Sequence, residues 1–132
     1  MKFNEIQDQA AEDLKFNITS IEHKALEIAS LKIKYARILG EYRLELKKAI
    51  FESDIVYADR FYHHKTGSSL QIDRRDLDVF IKGDKAYQKA AAKVAIHEER
   101  VRFIDGVIKS LDNMSFNINA AVKMHVFKGG GE

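Results

Sequence analysis

A run of apolar residues at helical spacing constrains the fold more than any other feature of this sequence. The capping-box spacing Thr19-x-x-Glu22 precedes the run, which contains no proline. Its apolar positions are Ala25, Ile28, Leu31, Tyr35, Ile38, Tyr42, Leu46, Ala49 and Val56. Steps of three and four, apart from one gap filled by Ser53, predict one α-helix over residues 20–62, with a seam for another helix. Gly40 lies inside it and predicts a kink or a close helix approach, because glycine costs about 1 kcal/mol there relative to alanine.

The other segments predict shorter helices and a second long helix, so the expected class is all-α with two long antiparallel helices. Asp73 can cap a short helix that ends at Gly83, and Asp84 can cap the second long helix. The segment DNMSFN predicts a break before a last helix. The expected organisation is one helical domain, 1–132, with a short amphipathic helix over 1–16, a long helix over 20–62, a loop over 63–73, a short and then a long helix over 74–111, a C-terminal helix over 112–128 and a tail over 129–132.

The length of the first helix predicts an assembly of several subunits. A straight helix over 20–62 is ~65 Å long, whereas a compact chain of this size has a radius of gyration of only ~14 Å. The second long helix, of about 28 residues, reaches only ~42 Å. One subunit therefore cannot cover its own longest helix, and we expect a homo-oligomer in which other subunits cover the apolar seam.

The amino-acid composition excludes several kinds of covalent and metal-binding site. Proline and cysteine are both absent, which excludes disulfides and thiolate metal ligands and fits a reducing, intracellular setting. The N-terminus has no apolar block long enough for a signal peptide, and no uncharged run approaches the ~20 residues of a membrane span. We expect a soluble, cytoplasmic protein with no membrane partner.

Familiar catalytic and metal-binding patterns are missing from the sequence. His63 and His64 are adjacent and have no third ligand at helical spacing, so they predict no zinc site. His97 lacks the second histidine, four residues on, of a metalloprotease helix. The serines lack a nucleophile-elbow context, and no glycine-rich phosphate loop occurs. We expect neither an enzyme nor a bound metal or cofactor.

A cluster of basic and aromatic residues predicts contact with single-stranded nucleic acid, which is bound by basic grooves and by rings on which bases stack. The candidate residues are Lys47, Lys48, Tyr57, Arg60, Tyr62, His63, His64, Lys65, Arg74 and Arg75, and a second basic stripe is formed by Lys85, Lys89 and Lys93. Each stripe can equally be a solvated face, and each tyrosine a core residue. Few contacts per subunit bind weakly, but a ring or helical barrel of subunits would raise the avidity.

The order of these features resembles the UvsY family of recombination mediator proteins from T4-like bacteriophages. The resemblance lies in the short amphipathic N-terminus, the long helix ending in YADRFYHHKTG, the segment LQIDRRDLD and the C-terminal IDGVIKSLDNMSFNINAAVKMHVFKGG. It implies a non-enzymatic ring of roughly six or seven subunits. Such a ring would bind single-stranded DNA and help to load the phage recombinase while the single-strand-binding protein is displaced.

The resemblance also implies roles for particular residues. Arg60 matches a basic position that contacts DNA in the family, although the family pattern has a lysine where this chain has Ala58. The C-terminal region is implied to hold the ring together, through Phe116, Ile118, Val122 and Val126. The alternative is a helical scaffold or adaptor whose basic and acidic blocks pair between subunits and which binds no nucleic acid.

Overall fold

The described part of the chain is entirely helical apart from short connections. A computed structural model describes residues 2–15, 21–67 and 74–130, and the side chains of 2–15, 22–66 and 75–124. Within them lie four helices and no strand: α1 Phe3–Asp13, α2 Ile21–Gly67, α3 Arg74–Lys82 and α4 Lys85–Gly130. The all-α prediction is thus confirmed. The capping box at Thr19, the cap at Asp73, the loop over 68–73 and the last two residues lie outside the described residues.

Helix α2 continues five residues past the predicted end at residue 62. The expected loop therefore does not begin at His63. The hydroxyl of Thr66 donates to the carbonyl oxygen of Tyr62, one turn earlier, at 2.8 Å. His64 and Lys65 lie in the last turn, where positive charge suits the negative end of the helix dipole.

Helix α4 also runs through the break predicted at residues 112–117 and through the first two residues of the expected tail. Asparagine and serine cost only a few tenths of a kcal/mol each in a helix, less than burial of the flanking apolar residues contributes. Leu111 is fully buried and Ile118 is 2% exposed, seven residues further along the same face. Packing on both sides of the polar segment therefore keeps the helix continuous.

The chain divides into two compact units, each containing part of α2 and part of α4. Unit 1 comprises Met1–Gly40 and Arg102–Glu132, and unit 2 comprises Glu41–Val101. The expectation of one domain stays a prediction. A Cβ added at Gly40 would meet nothing within 4 Å in the described structure, so the close helix approach predicted there is not found.

Unit 1 has an apolar core formed by α1, α2 and α4. Its buried hydrophobic residues are Ile6, Ala10, Ile28, Leu31, Tyr35, Leu39, Ile104, Val107, Leu111 and Ile118. Helix α1 begins where the Glu5 carboxylate accepts the Lys2 N–H at 3.1 Å. The Phe3 ring meets the Phe103 ring edge to face, with centroids 5.5 Å apart. These contacts attach α1 to α4.

Asp13 attaches the other end of α1 to α2. Its Oδ2 accepts hydrogen bonds from Lys34 Nζ at 2.8 Å and from the Tyr35 hydroxyl at 2.7 Å. Burial acts to raise the pKa of Asp13, but the hydrogen bonds from Lys34 and Tyr35 outweigh it and lower the pKa. Lys24, which is buried, donates to the Asp13 carbonyl oxygen. Asp13 of α1 thus forms an ion pair with Lys34 of α2.

Unit 2 is an antiparallel pair of helices with α3 packed against it. Residues of α2 with higher numbers meet residues of α4 with lower numbers, as in the pairs Glu52–Lys93 and Tyr57–Tyr87. Ala49, Leu77 and Ile81 are its buried hydrophobic residues. The C-terminal part of α2 is therefore held beside α3 and the start of α4.

Candidate nucleic-acid interface

Asp84, at the start of α4, contacts two of the residues predicted to bind a nucleic acid, Arg60 and His64. One carboxylate oxygen accepts from Arg60 Nε at 2.7 Å and lies 3.1 Å from His64 Nε2. The other accepts the Ala86 N–H at 2.8 Å, which caps α4. Burial acts to raise the pKa of Asp84, but the hydrogen bonds from His64, Arg60 and Ala86 lower it to about 2. Asp84 is thus a carboxylate that links α2 to α4 at neutral pH.

Tyr57 forms a second link between the helices. Its hydroxyl donates to Asp78 of α3 at 2.6 Å, and its ring packs edge to face on Tyr87 of α4 with centroids 5.7 Å apart. The hydrogen bonds from Tyr57 and from Lys82 lower the pKa of Asp78. Tyr57 therefore acts within the subunit, and its ring is not presented as an open stacking platform.

The remaining candidates on α2 are directed to solvent. Tyr62 is 70% exposed, and His63 and Lys65 are exposed beside it. Lys65 Nζ lies 5.9 Å from the centroid of the Phe61 ring, a cation–π contact that leaves the ammonium charge available. The end of α2 thus presents an aromatic ring and a cation one turn apart, as residues at i and i+3 are.

Two further lysines lie upstream on α2. Lys48 is exposed and pairs with Glu45 at 3.4 Å, whereas Lys47 is exposed and has no ion-pair partner among the described residues. Lys47 and Lys65 are eighteen residues apart, which is five helical turns, so both lie on one line of α2 ~27 Å long. On α3, Arg75 is exposed, while the side chain of Arg74 is outside the described residues.

The predicted residues therefore separate into two groups. Tyr57, Arg60 and His64 are engaged inside unit 2, and Lys47, Lys48, Tyr62, His63, Lys65 and Arg75 are exposed. From the sequence, Asp84 was predicted only to cap α4, and Asp78 had no predicted role. Arg60 and Asp84 are 24 positions apart, and no local pattern connects residues at that distance.

The residues predicted to hold an oligomer together lie on α4 in unit 1. Phe116 is 72% exposed and Val122 is half-exposed, but Ile118 is buried in the core of its own chain. The side chain of Val126 is outside the described residues. Burial of Ile118 follows from its place seven residues after Leu111 on the packed face of α4. The assembly role of these four residues stays a prediction.

The described residues contain neither a cluster suited to a metal ion nor a membrane-length apolar helix. No group of three or more histidine, aspartate or glutamate side chains there is placed to hold a metal ion. No helix in the same part of the chain has an apolar stretch long enough to cross a membrane.

Comparisons with known proteins identify one family model and several solved structures of similar fold. The model of the family described as "Recombination, repair and ssDNA binding protein UvsY" matches residues 9–131. Two crystal structures of the bacteriophage T4 recombination mediator protein UvsY have a similar fold. The lattice type II structure has a TM-score of 0.85 at 15% identity, covering 98% of each chain. The lattice type IV structure has a TM-score of 0.83 at 15% identity, covering 97% of this chain and 99% of the other. No curated protein matches the sequence.

Proposed function

Because the chain belongs to the UvsY family, we propose that it is a recombination mediator that binds single-stranded DNA without sequence preference and promotes loading of a recombinase. The family match over residues 9–131 is the observation that carries this proposal. The partners we propose are single-stranded DNA, a phage recombinase and a single-strand-binding protein, in the cytoplasm of a host cell. The protein acts by binding and has no catalytic activity of its own.

The exposed end of α2 presents the two kinds of group that bind a single strand, cationic side chains and an aromatic ring. Lys47 and Lys65, on one line of the helix, contact phosphates, and Lys48 and Arg75 add further positive charge. The Tyr62 ring, 70% exposed, accepts a base by stacking, with His63 beside it. Stacking uses the face that all four bases share, so this surface has no sequence preference.

Arg60, His64 and Tyr57 have a supporting role in this proposal. Their hydrogen bonds to Asp84 and Asp78 hold the last turns of α2 against α3 and α4. Tyr62 and Lys65 are carried by those same turns. A change at Arg60 therefore weakens DNA binding indirectly, by loosening the helix that presents the exposed residues.

In a ring of roughly six or seven subunits, a surface with few phosphate contacts per subunit is sufficient for tight binding of a single strand. Each subunit offers few phosphate contacts, and affinity for a single strand grows with the number of phosphates neutralised. A closed ring adds the contacts of all subunits at high effective concentration. A strand wrapped on the ring is held extended, which eases nucleation of the recombinase.

Fluorescence anisotropy of a labelled oligonucleotide across a salt series tests this function. We expect tight binding of single strands, weaker binding of duplex, and a log–log salt slope of about 0.7 per phosphate contact. Lys65→Ala should lower the slope. Tyr62→Ala should lower affinity roughly 5- to 150-fold, from the ~1–3 kcal/mol of one stacked base, and leave the slope unchanged.

Lys109→Ala is the matched control, since it removes one exposed lysine of unit 1 that is not part of the proposed surface. It should bind like the wild type. Absence of binding at low salt would contradict the proposal and favour the scaffold. Equal effects of Lys65→Ala and Lys109→Ala would show that DNA responds to total charge and not to this surface.

A further inference from the structure

Phe80 of α3 is exposed although it lies next to the buried face of that helix. Leu77 and Ile81 of α3 are 3% and 0% exposed, whereas Phe80 is 53% exposed. At 100° per residue, Phe80 lies about 80° from the centre of the face that Leu77 and Ile81 form. The core of unit 2 therefore leaves a large aromatic side chain half in solvent.

The Phe80 ring stacks on the His64 ring of α2. The two rings are nearly parallel, with 22° between their planes and 6.3 Å between their centroids, as in an offset-stacked pair. His64 Nε2 lies 3.1 Å from Asp84, which also accepts a hydrogen bond from Arg60. A fixed carboxylate thus holds the His64 ring, and the His64 ring supports one face of Phe80. The exposed half of the side chain leaves the other face for a planar partner.

Phe80 extends the surface that we propose for DNA from α2 onto α3. Around α2, at 100° per residue, Lys65 lies about 60° from Tyr62, and His64 lies about 100° further in the same direction. Phe80 follows His64 on the neighbouring helix. Lys65, in the last turn of α2, therefore lies between Tyr62 and the stacked pair of His64 and Phe80.

The charges on the two sides of Phe80 differ in sign. Asp76, one turn earlier on α3, is exposed and lies about 40° from Phe80 around that helix. Lys65 is exposed on the side of α2. A phosphate is repelled by the aspartate and attracted by the lysine. A strand whose base covers Phe80 therefore has its phosphates on the side of α2.

A nucleic-acid base fits Phe80 better than an apolar protein surface does. Val79, the other large hydrophobic residue that α3 exposes, lies about 100° away from Phe80 around the helix, so the two form no contiguous patch. Protein partners bind contiguous apolar patches. A base needs only the face of one ring, and the charged neighbours of that ring do not hinder stacking.

We propose that Phe80 is a second base-stacking residue, so that a single strand crosses the end of α2 from Tyr62 to Phe80 and places the intervening phosphates at Lys65. This inference rests on the proposed function and assigns to it a residue on a second helix. His64 is then a positioning residue that holds the Phe80 ring. Each subunit stacks two bases, one on α2 and one on α3.

A single tryptophan tests the stacking directly, because the chain has no tryptophan of its own. Adding a thymidine oligonucleotide to Phe80→Trp should quench the tryptophan emission, and the quenching should saturate together with the anisotropy of the labelled strand. Val79→Trp is the matched control, since it places the same fluorophore on α3 at a site that is 69% exposed. Its emission should stay constant while the anisotropy rises.

An abasic strand separates stacking from a merely structural role of Phe80. Phe80→Ala should lower the affinity for the thymidine oligonucleotide roughly 5- to 150-fold, the effect of one stacked base, and leave the salt slope unchanged. Its affinity for an abasic strand of the same length should equal that of the wild type, because that strand has phosphates and no bases. Equal losses with both strands would show that Phe80 only supports the end of α2, and would overturn the proposal.

The tryptophan experiment also separates this inference from the function on which it rests. Normal anisotropy of Phe80→Trp without quenching would overturn stacking at Phe80 and leave the proposed function intact. Quenching of Val79→Trp equal to that of Phe80→Trp would show contact with all of α3 and would also overturn the assignment. A wild-type protein that binds no strand at low salt would remove both the function and the inference.

Discussion

Tyr35→Phe should weaken the attachment of α1 while leaving the core packed. Tyr35 is completely buried, and its hydroxyl donates to Asp13 Oδ2 at 2.7 Å. The substitution removes that hydroxyl and keeps the ring. A hydrogen bond to a charged group contributes about 1.5–3 kcal/mol. Lys34 still donates to the same oxygen at 2.8 Å, so we expect a loss near the lower limit, about 1.5 kcal/mol.

The loss should also depend on pH in a direction that follows from the pKa of Asp13. Folding lowers this pKa, so the ionised carboxylate stabilises the folded state above the unfolded value near 3.8. That contribution is lost as pH falls through the folded value. The difference in unfolding free energy between wild type and Tyr35→Phe should therefore be constant from neutral pH to about pH 5 and shrink below about pH 4.

Urea denaturation at fixed protein concentration measures this difference, because assembly shifts apparent stability. Thermal melts should show a decrease of roughly 6 °C for the variant at neutral pH. Asp13→Asn combined with Tyr35→Phe completes a double-mutant cycle, and we expect the two losses not to add. A loss below about 0.5 kcal/mol, or one that stays the same at acidic pH, would refute the hydrogen bond to Asp13 as the link that holds α1.

Three further predictions concern α2, the core and the start of α4. Gly40→Ala should raise the unfolding free energy by about 0.5–1 kcal/mol, since its Cβ would meet open space in a helix; a loss in urea denaturation would reveal a need for glycine. Leu111→Ala should cost about 2–5 kcal/mol in the same assay, because the side chain is fully buried; a cost under about 1 kcal/mol would contradict tight packing. The folded pKa of Asp84, about 2, is below its unfolded value, so its stabilising contribution is present above about pH 4 and lost between about pH 4 and 2. Asp84→Ala at pH 7 should speed amide exchange at Ala86, because alanine has no oxygen to accept this N–H, and unchanged exchange would count against this cap.

The positions of the helices were predictable from the sequence because helix formation depends on residues that are close together in the chain. Steps of three and four residues from Ala25 to Ala49, continued at Val56, indicated one long helix, and α2 contains that whole segment. The sequence also carried the resemblance to the UvsY family that the family match confirms. The spacing of Leu77, Phe80 and Ile81 was equally visible, but spacing alone cannot tell the buried Leu77 and Ile81 from the exposed Phe80.

The helix ends and the use of each polar side chain were decided by tertiary structure. Helix propensities differ by only tenths of a kcal/mol between most residues, so packing of Leu111 and Ile118 carried α4 through a segment that looked like a break. Arg60 and His64 were predicted to contact a nucleic acid, but the fold brings Asp84 to them from 24 and 20 residues away. Sequence alone thus determined the helices and the family, because those depend on local periodicity and residue order. Only the tertiary structure decided which charges are satisfied within the chain and which remain for a partner.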